Sequence, residues 1–279
     1  KNVLGAEATS GAGAGKVGIA GALAANVAVN TTQAVIEGDK DKSGTGATVD
    51  AGTGNVLVSA KSVNESTVKA GADVKMTPPA GGTGTGTGTG TPAGGAGGTG
   101  GTGGTGSGSG AIGIGASVGV NVAVNTTEAV LEKDAVLKGG RDVTLQAEGA
   151  HVQKTEVTGG AAGGKISLTP VAAVTVGVNT TIANLEAAKA GDPGLKIGGN
   201  YKALAKQTSE SSATATGQTQ GDKVAVGASL ALNTSVDTVG ARIDRDIEAV
   251  GSVAAEAQSV AKGSAVARAS ALGALPTVA

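Results

Sequence analysis

Hydrophobic and polar positions alternate along most of this chain with a period of two, the period of an extended strand rather than a helix. In the clearest run Ile112, Ile114, Ala116, Val118, Val120, Val122 and Val124 alternate with Gly113, Gly115, Ser117, Gly119, Asn121, Ala123 and Asn125. The pattern returns with Val17, Ile19, Leu23, Val27 and Val29, with Ile166, Leu168, Val174, Val176 and Val178, and with Val224, Val226, Leu230 and Leu232. Each run predicts a strand with one aliphatic face and one small or polar face. A shorter run follows the first three (Thr32, Ala34, Ile36; Thr127, Ala129, Leu131; Thr181, Ala183, Leu185), and then Gly-flanked pieces such as AVLKGGRDVTLQAEG and GLKIGGNYKALAK. Those glycines predict corners.

One twelve-letter stretch is written twice with hardly a change, as NVAVNTTQAVIE from Asn26 to Glu37 and as NVAVNTTEAVLE from Asn121 to Glu132. The Asn-Thr-Thr signature occurs at Asn30, Asn125 and Asn179 and, as Asn-Thr-Ser, at Asn233; the step from Asn125 to Asn179 equals the step from Asn179 to Asn233. The step from Asn30 to Asn125 is longer, and two insertions explain the excess. One is GDKDKSGT and its surroundings, which make the stretch from Asn30 to Val56 longer than the matching stretch from Asn125 to Val143. The other is the Gly/Thr-rich tract from Thr77 to Gly110.

Four copies of one unit therefore fill the chain, and repetition at a fixed period marks a stacked architecture. A strand that cannot bury its apolar face alone buries it against like strands stacked above and below. The fold expected is all-β, a parallel β-solenoid (β-helix) of four repeats of about 54 residues. Repeat 1 covers 1–76 with a loop insertion at 38–46, a low-complexity flexible insertion covers 77–110, and repeats 2 to 4 cover 111–279. Stacking is expected to bury the aliphatic faces and to line up Asn30, Asn125, Asn179 and Asn233 as a structural ladder at matching corners. These four also fall in Asn-x-Thr/Ser sequons, as does Asn64, but their regular recurrence favours the ladder over glycosylation.

The pattern VAVNTTEAVLE followed by AVLKGGRDVTLQAE joins an alternating strand, an Asn-Thr-Thr corner, a Gly-Gly-x-Asp-Val corner and an Ala/Thr-rich return. It resembles the repeat region of large bacterial filamentous haemagglutinin-like and leukotoxin-type filamentous adhesins, over most of the chain apart from the Gly-rich tract. That resemblance implies export through the bacterial envelope, a very long parent protein, and a rod or adhesive fibre at the bacterial cell surface. Its partners would be components of a host or neighbouring-cell surface or matrix. Because the sequence opens and closes in mid-pattern, it is expected to be a segment of something longer. The last copy departs from the pattern at Asp237 and Arg242, and the Ala-rich run from Ser252 to Ala274 could be misread as a helix.

Composition supports a thin, layered core. The chain has 279 residues with no Phe, Trp or Cys, one Tyr and one Met, so small aliphatic groups must supply nearly all the burial. A formal net charge of -1 with interspersed signs gives no steering toward nucleic acid or anionic membranes. Without a long apolar run, no membrane insertion of this segment is expected. Zero cysteine excludes disulfides and thiolate chemistry, and a single histidine argues against zinc or haem.

Most candidate chemistry dissolves on inspection. GAGAGKV at Lys16 lacks the first glycine of a phosphate loop, has no Ser or Thr after the lysine, and leads into a strand. Lys165 and Lys223 hold the same place before later strands, so Lys16 reads as a corner residue. His151 has no partner at triad spacing and reads as a surface residue in a polar return. Tyr201 aligns with Val56 and Val143 and reads as a packing residue. In DKDKSGTGATVD, Asp39, Asp41, Ser43, Thr45 and Asp50 follow the oxygen-ligand rhythm of a calcium loop. Gly46 at the eighth position, Asp for the usual Glu, and Lys40 and Lys42 oppose it. The loop is read as a solvated insertion, with calcium as the alternative and no other cofactor implied. The tract from Thr77 to Gly110 has too little apolar surface to offset its ordering.

The function expected is non-enzymatic: a rod or stalk that presents adhesive loops. The alternative is a subunit of a self-assembling extracellular β-solenoid filament, in which the small Gly/Ala/Ser face lets chains approach closely and open ends pair axially. A polysaccharide lyase would need clustered acids, arginines and aromatic sugar platforms, and an ice-binding surface would need a denser Thr ladder than Thr31, Thr126, Thr180 and Thr234 provide.

Overall fold

The structure is a computed structural model that describes residues 1–14, 16–38, 46–76, 112–162, 165–188 and 194–273. Each repeat forms one coil of three strands, long, short and long. The first coil is β2 (Val17–Ile36), β3 (Thr48–Gly52) and β4 (Val56–Met76), preceded by β1 (Asn2–Ala14). The second is β5 (Ile112–Leu131), β6 (Val136–Gly139) and β7 (Val143–Ala162). The third is β8 (Ile166–Leu185), β9 (Leu195–Ile197) and β10 (Tyr201–Gly221), and the fourth is β11 (Val224–Ile243), β12 (Ile247–Ala249) and β13 (Val253–Gly273). The Ala-rich segment that composition could assign to a helix is thus the strand β13.

Like strands stack on like strands, all parallel. A five-strand sheet runs β1-β4-β7-β10-β13, a four-strand sheet runs β2-β5-β8-β11, and β3-β6 and β9-β12 form the narrow third side. Register is kept over the full length of the long strands, with Val17 beside Ile112, Ile112 beside Ile166 and Ile166 beside Val224. This is a parallel β-solenoid. The Gly/Thr tract lies outside the described residues, on the connection from Met76 to Ile112.

The Asn-Thr-Thr signature does not turn a corner. Asn30, Asn125 and Asn179 sit inside single strands of 20 residues. The corners lie elsewhere: Gly139 and Gly140 take φ of 70° and 98°, where a side chain would be strained.

The burial of the four-strand sheet is the reverse of the expectation. Its small and polar face points inward, with Gly119, Asn121, Ala123 and Asn125 of β5 buried, while its Val, Ile and Leu face outward. Leu23 and Val27 are 69% and 73% exposed. The cause is steric, because the two long sheets nearly touch over the first part of each strand. A Cβ on Gly115 would lie 2.2 Å from the Gly160 carbonyl oxygen, and one on Gly119 would lie 2.6 Å from Val157 Cγ2. A glycine on one sheet there faces a branched side chain on the other, Gly119 against Val157 and Gly159 against Val171, with Val68 and Val74 filling the remaining space. Toward the short strands the sheets diverge and Leu131, Leu145, Leu185, Leu195, Ile197 and Tyr201 close the wide end. The interior is a wedge, and its width decides which residues face in.

Long strands of 20 or 21 residues extend about 66 Å, whereas each coil adds only about 4.8 Å of stack height. The described solenoid is a slab wider than it is tall.

Candidate functional site

Two features have the composition of a site: a polar band between the sheets and the aliphatic outer face of the four-strand sheet. The band lies midway along the strands. Asn30 Nδ2 donates to Asn125 Oδ1 at 2.9 Å, Asn125 Nδ2 to Asn179 Oδ1 at 2.7 Å, and Asn179 Nδ2 to Asp237 Oδ1 at 2.8 Å. The fourth rung is therefore Asp237 and not Asn233. Register pairs Asn179 with Asp237, and it pairs Asn233 with Thr175, on the rung of Asn26 and Asn121. Asn233 Nδ2 bonds Ser211 instead, at 3.0 Å to its Oγ. The equal step from Asn179 to Asn233 is a coincidence, since β8 and β11 start further apart in the chain than β5 and β8 do.

The facing sheet completes the band. Gln153 Nε2 donates to Asn179 Oδ1 at 3.2 Å, and Ser62 and Thr127 hydroxyls meet at 2.6 Å. Asp237 accepts from Gln207 Nε2 at 2.7 Å and from Ser209 Oγ at 2.9 Å as well as from Asn179. One carboxylate thus satisfies donors from two sheets, which fits a structural role.

His151 is in this band, 1% exposed, and not on the surface as its polar neighbours suggested. Its Nδ1 lies 3.3 Å from Asn64 Nδ2, and its Nε2 has no hydrogen-bond partner. Burial pushes its pKa down to about 4, against a smaller opposing effect of the Asp237 charge, so the ring is neutral at pH 7. Tyr201 pairs in register with Val143 and is buried in the wide apolar end, where burial raises its phenol pKa.

A ladder at a corner does exist, and it starts at the Asp of the Gly-Gly-x-Asp-Val corner that the sequence marks, continuing through Asn200 and Ser252, which the sequence did not single out. Asp142 Oδ1 accepts from the Asn200 amide nitrogen and from Asn200 Nδ2, both at 3.0 Å, and Asn200 Oδ1 accepts from Ser252 N and Oγ, both at 2.9 Å. The Asn200 backbone bond is the main cause holding the Asp142 carboxyl below the usual carboxylate range. The available signal was the polar residue just before each strand start at Val56, Val143, Tyr201 and Val253.

Of the calcium-loop residues, Asp39, Asp41, Ser43 and Thr45 lie outside the described residues. Asp50 is exposed on β3, where its Oδ1 accepts from the Gly52 amide at 3.0 Å. Among the described residues no cluster of three or more His, Cys, Asp or Glu is placed to hold a metal ion. Lys16, Lys165 and Lys223 each precede a strand of the four-strand sheet, at equivalent turns of the coil.

The two outer faces differ in chemistry. That of the five-strand sheet carries ion pairs across coils, Lys61 with Glu148 at 3.0 Å and Lys202 with Glu256 at 3.1 Å. That of the four-strand sheet carries no charge at its outward positions over 17–29, 112–124, 166–178 and 224–236. Exposed aliphatic surface of this extent makes this face the second candidate site. No protein-family model matches the chain, and no curated protein or solved structure is similar to it.

Proposed function

We propose that the chain is a non-enzymatic structural segment of a large secreted or cell-surface bacterial adhesin. It acts as a scaffold that carries loops on its flanks toward a host or neighbouring-cell surface or matrix component. The supporting observation is the unbroken register from coil to coil: β7 pairs residue for residue with β4 on one side and β10 on the other. Side chains repeat because they stack, and the buried polar groups bond one another rather than converge on an open cleft. The resemblance to filamentous adhesin repeats points the same way. With about 4.8 Å of height gained per coil, the architecture invests its residues in face area more than in reach.

Surface exposure tests this reading. Antibody raised against residues 112–273 should label intact source cells or their shed fibres in immuno-electron microscopy. Label that appears only after lysis overturns it.

The second reading is a subunit of a self-assembling β-solenoid filament, favoured by the in-register stacking of like strands, a pairing that one chain can continue onto another. Filaments with an axial repeat that is a multiple of about 4.8 Å would support it. In either reading the small Gly/Ala/Ser face is unavailable for contacts between chains, because it lies inside the coil.

A further inference from the structure

We propose that the aliphatic outer face of the four-strand sheet is a self-association surface: a second copy of this chain packs on it face to face, with its strands running antiparallel to the first. The proposal rests on the structural reading above and adds to it a partner and a contact.

Three observations select this occupant. The first is size. Seven outward positions on each of four strands, at standard strand spacing and rise, cover about 800 Å² of flat sheet, the area each partner contributes to a stable specific interface. The second is shape. In-register strands repeat the same columns from coil to coil, such as Leu23, Val118, Ala172 and Leu230, so ridges on one copy meet matching grooves on another. Aliphatic sheet faces of this kind pack about 10 Å apart.

The third is charge at the two ends of the sheet. Lys16, Lys165 and Lys223 immediately precede β2, β8 and β11, with Asp222 among them. Glu37, Glu132, Glu186 and Asp244 immediately follow β2, β5, β8 and β11, with Lys133, Arg242 and Arg245 as the nearby cations. A two-fold axis along the stack, through the middle of the face, reverses the strands, keeps coil over like coil, and sets each lysine end over the partner's mid-strand residues, Lys16 opposite Asn30, instead of over the partner's own lysine end. The other two-fold arrangement sets lysine over lysine and carboxylate over carboxylate, which is repulsive. The charged outer face of the five-strand sheet offers no such contact.

Sedimentation velocity of the full chain, from micromolar to submillimolar, tests the association. The expected mass is twice the 26.0 kDa of one chain. Val120→Lys with Val176→Lys, at the middle of the face, should give monomer with an unchanged far-ultraviolet circular dichroism spectrum. Thr208→Lys on the outer face of the five-strand sheet should leave the dimer intact. Because the chain has no cysteine, Leu23→Cys alone should cross-link with a short bismaleimide. Cross-linking only in a mixture of Leu23→Cys and Leu230→Cys chains overturns the arrangement.

Wild-type chain that stays monomeric overturns the proposal, as does a dimer that the double lysine variant leaves intact. So does a monomer that floats with phosphatidylcholine vesicles, which assigns the face to lipid. A monomer that dimerises only after deletion of 77–110 also overturns it, because the chain's own tract then covers the face. None of these results alters where antibody labels the cell, so this proposal and the structural reading fail separately.

Discussion

The four-strand sheet turns Val, Ile and Leu to the outside and Gly, Ala, Ser and Asn to the inside, while the five-strand sheet turns Lys, Glu, Thr and Gln outward and buries Val143, Leu145, Val157 and Tyr201. Both are built from parallel strands of similar length in the same register. Hydrophobicity therefore does not decide which face is buried; the separation of the sheets does. Where Gly115 lies against Gly160 the backbones leave no room for a branched side chain, and nearby a bulky inward residue on one sheet faces a glycine on the other, as Val157 faces Gly119 and Val171 faces Gly159, so most of the four-strand sheet's bulk is presented to the outside. A face that stays aliphatic under that constraint is available for a partner.

Filling the narrow part of the wedge is the most damaging way to break this difference. Gly115→Val places a side chain against a backbone carbonyl that cannot rotate away. Overpacking of a core usually costs about 1–3 kcal/mol, and this variant should exceed that or prevent folding, as read by urea denaturation. Asp237→Leu should come next. It removes the acceptor of Asn179, Gln207 and Ser209, which are 1%, 2% and 3% exposed, and each orphaned donor costs about 1–3 kcal/mol. A loss of several kcal/mol is expected, with Asp237→Asn intermediate because it keeps one carbonyl oxygen.

Acid sharpens the comparison from inside the polar band. His151 has a folded-state pKa of about 4 against an ordinary 6.5, so on acidification the unfolded chain takes up its proton first. Its contribution is fully present above pH 6.5 and is lost as pH falls from there toward 4, with a total of about 3 kcal/mol. His151→Gln should lack this component. The difference between wild-type and variant unfolding free energies should therefore change by about that amount between pH 7 and pH 4 and be flat above pH 7.

Much of this architecture was legible in the sequence, and the gaps have physical causes. The period of two, the repeated NVAVNTT segment and the aligned positions Val56, Val143 and Tyr201 gave strands, stacking and register directly. The orientation of the faces was not legible, because alternation is symmetric: it names two faces without saying how wide the space behind each is. The apparent corner at Asn30 has the same origin. Aliphatic residues occupy outward positions up to Val29 and inward positions from Thr32 to Ile36, where the interior widens. That shift of phase resembles a turn although the strand runs straight on. Asp237 looks like an irregularity in the sequence because the ladder keeps a hydrogen-bonding role rather than a residue type, and a carboxylate fills that role as well as an amide does.

The gentlest test removes bulk from the outside. Val27 is 73% exposed on β2, so Val27→Ala creates no cavity and takes little from the fold. In dilute solution its unfolding free energy should change by no more than about 0.5 kcal/mol, the range of ordinary surface substitutions. The same truncation at an inward valine such as Val157, which is 1% exposed and lies against Gly119, should cost roughly 2–3 kcal/mol through lost packing and a cavity. At concentrations where copies associate, Val27→Ala should weaken that association while Val157→Ala, once folded, should not. Two valines of equal hydrophobicity would then report separately on the outside of one sheet and the inside of the other, one through partnership and the other through stability. Equal stability losses at both sites would mean that the outer face is covered within a single chain.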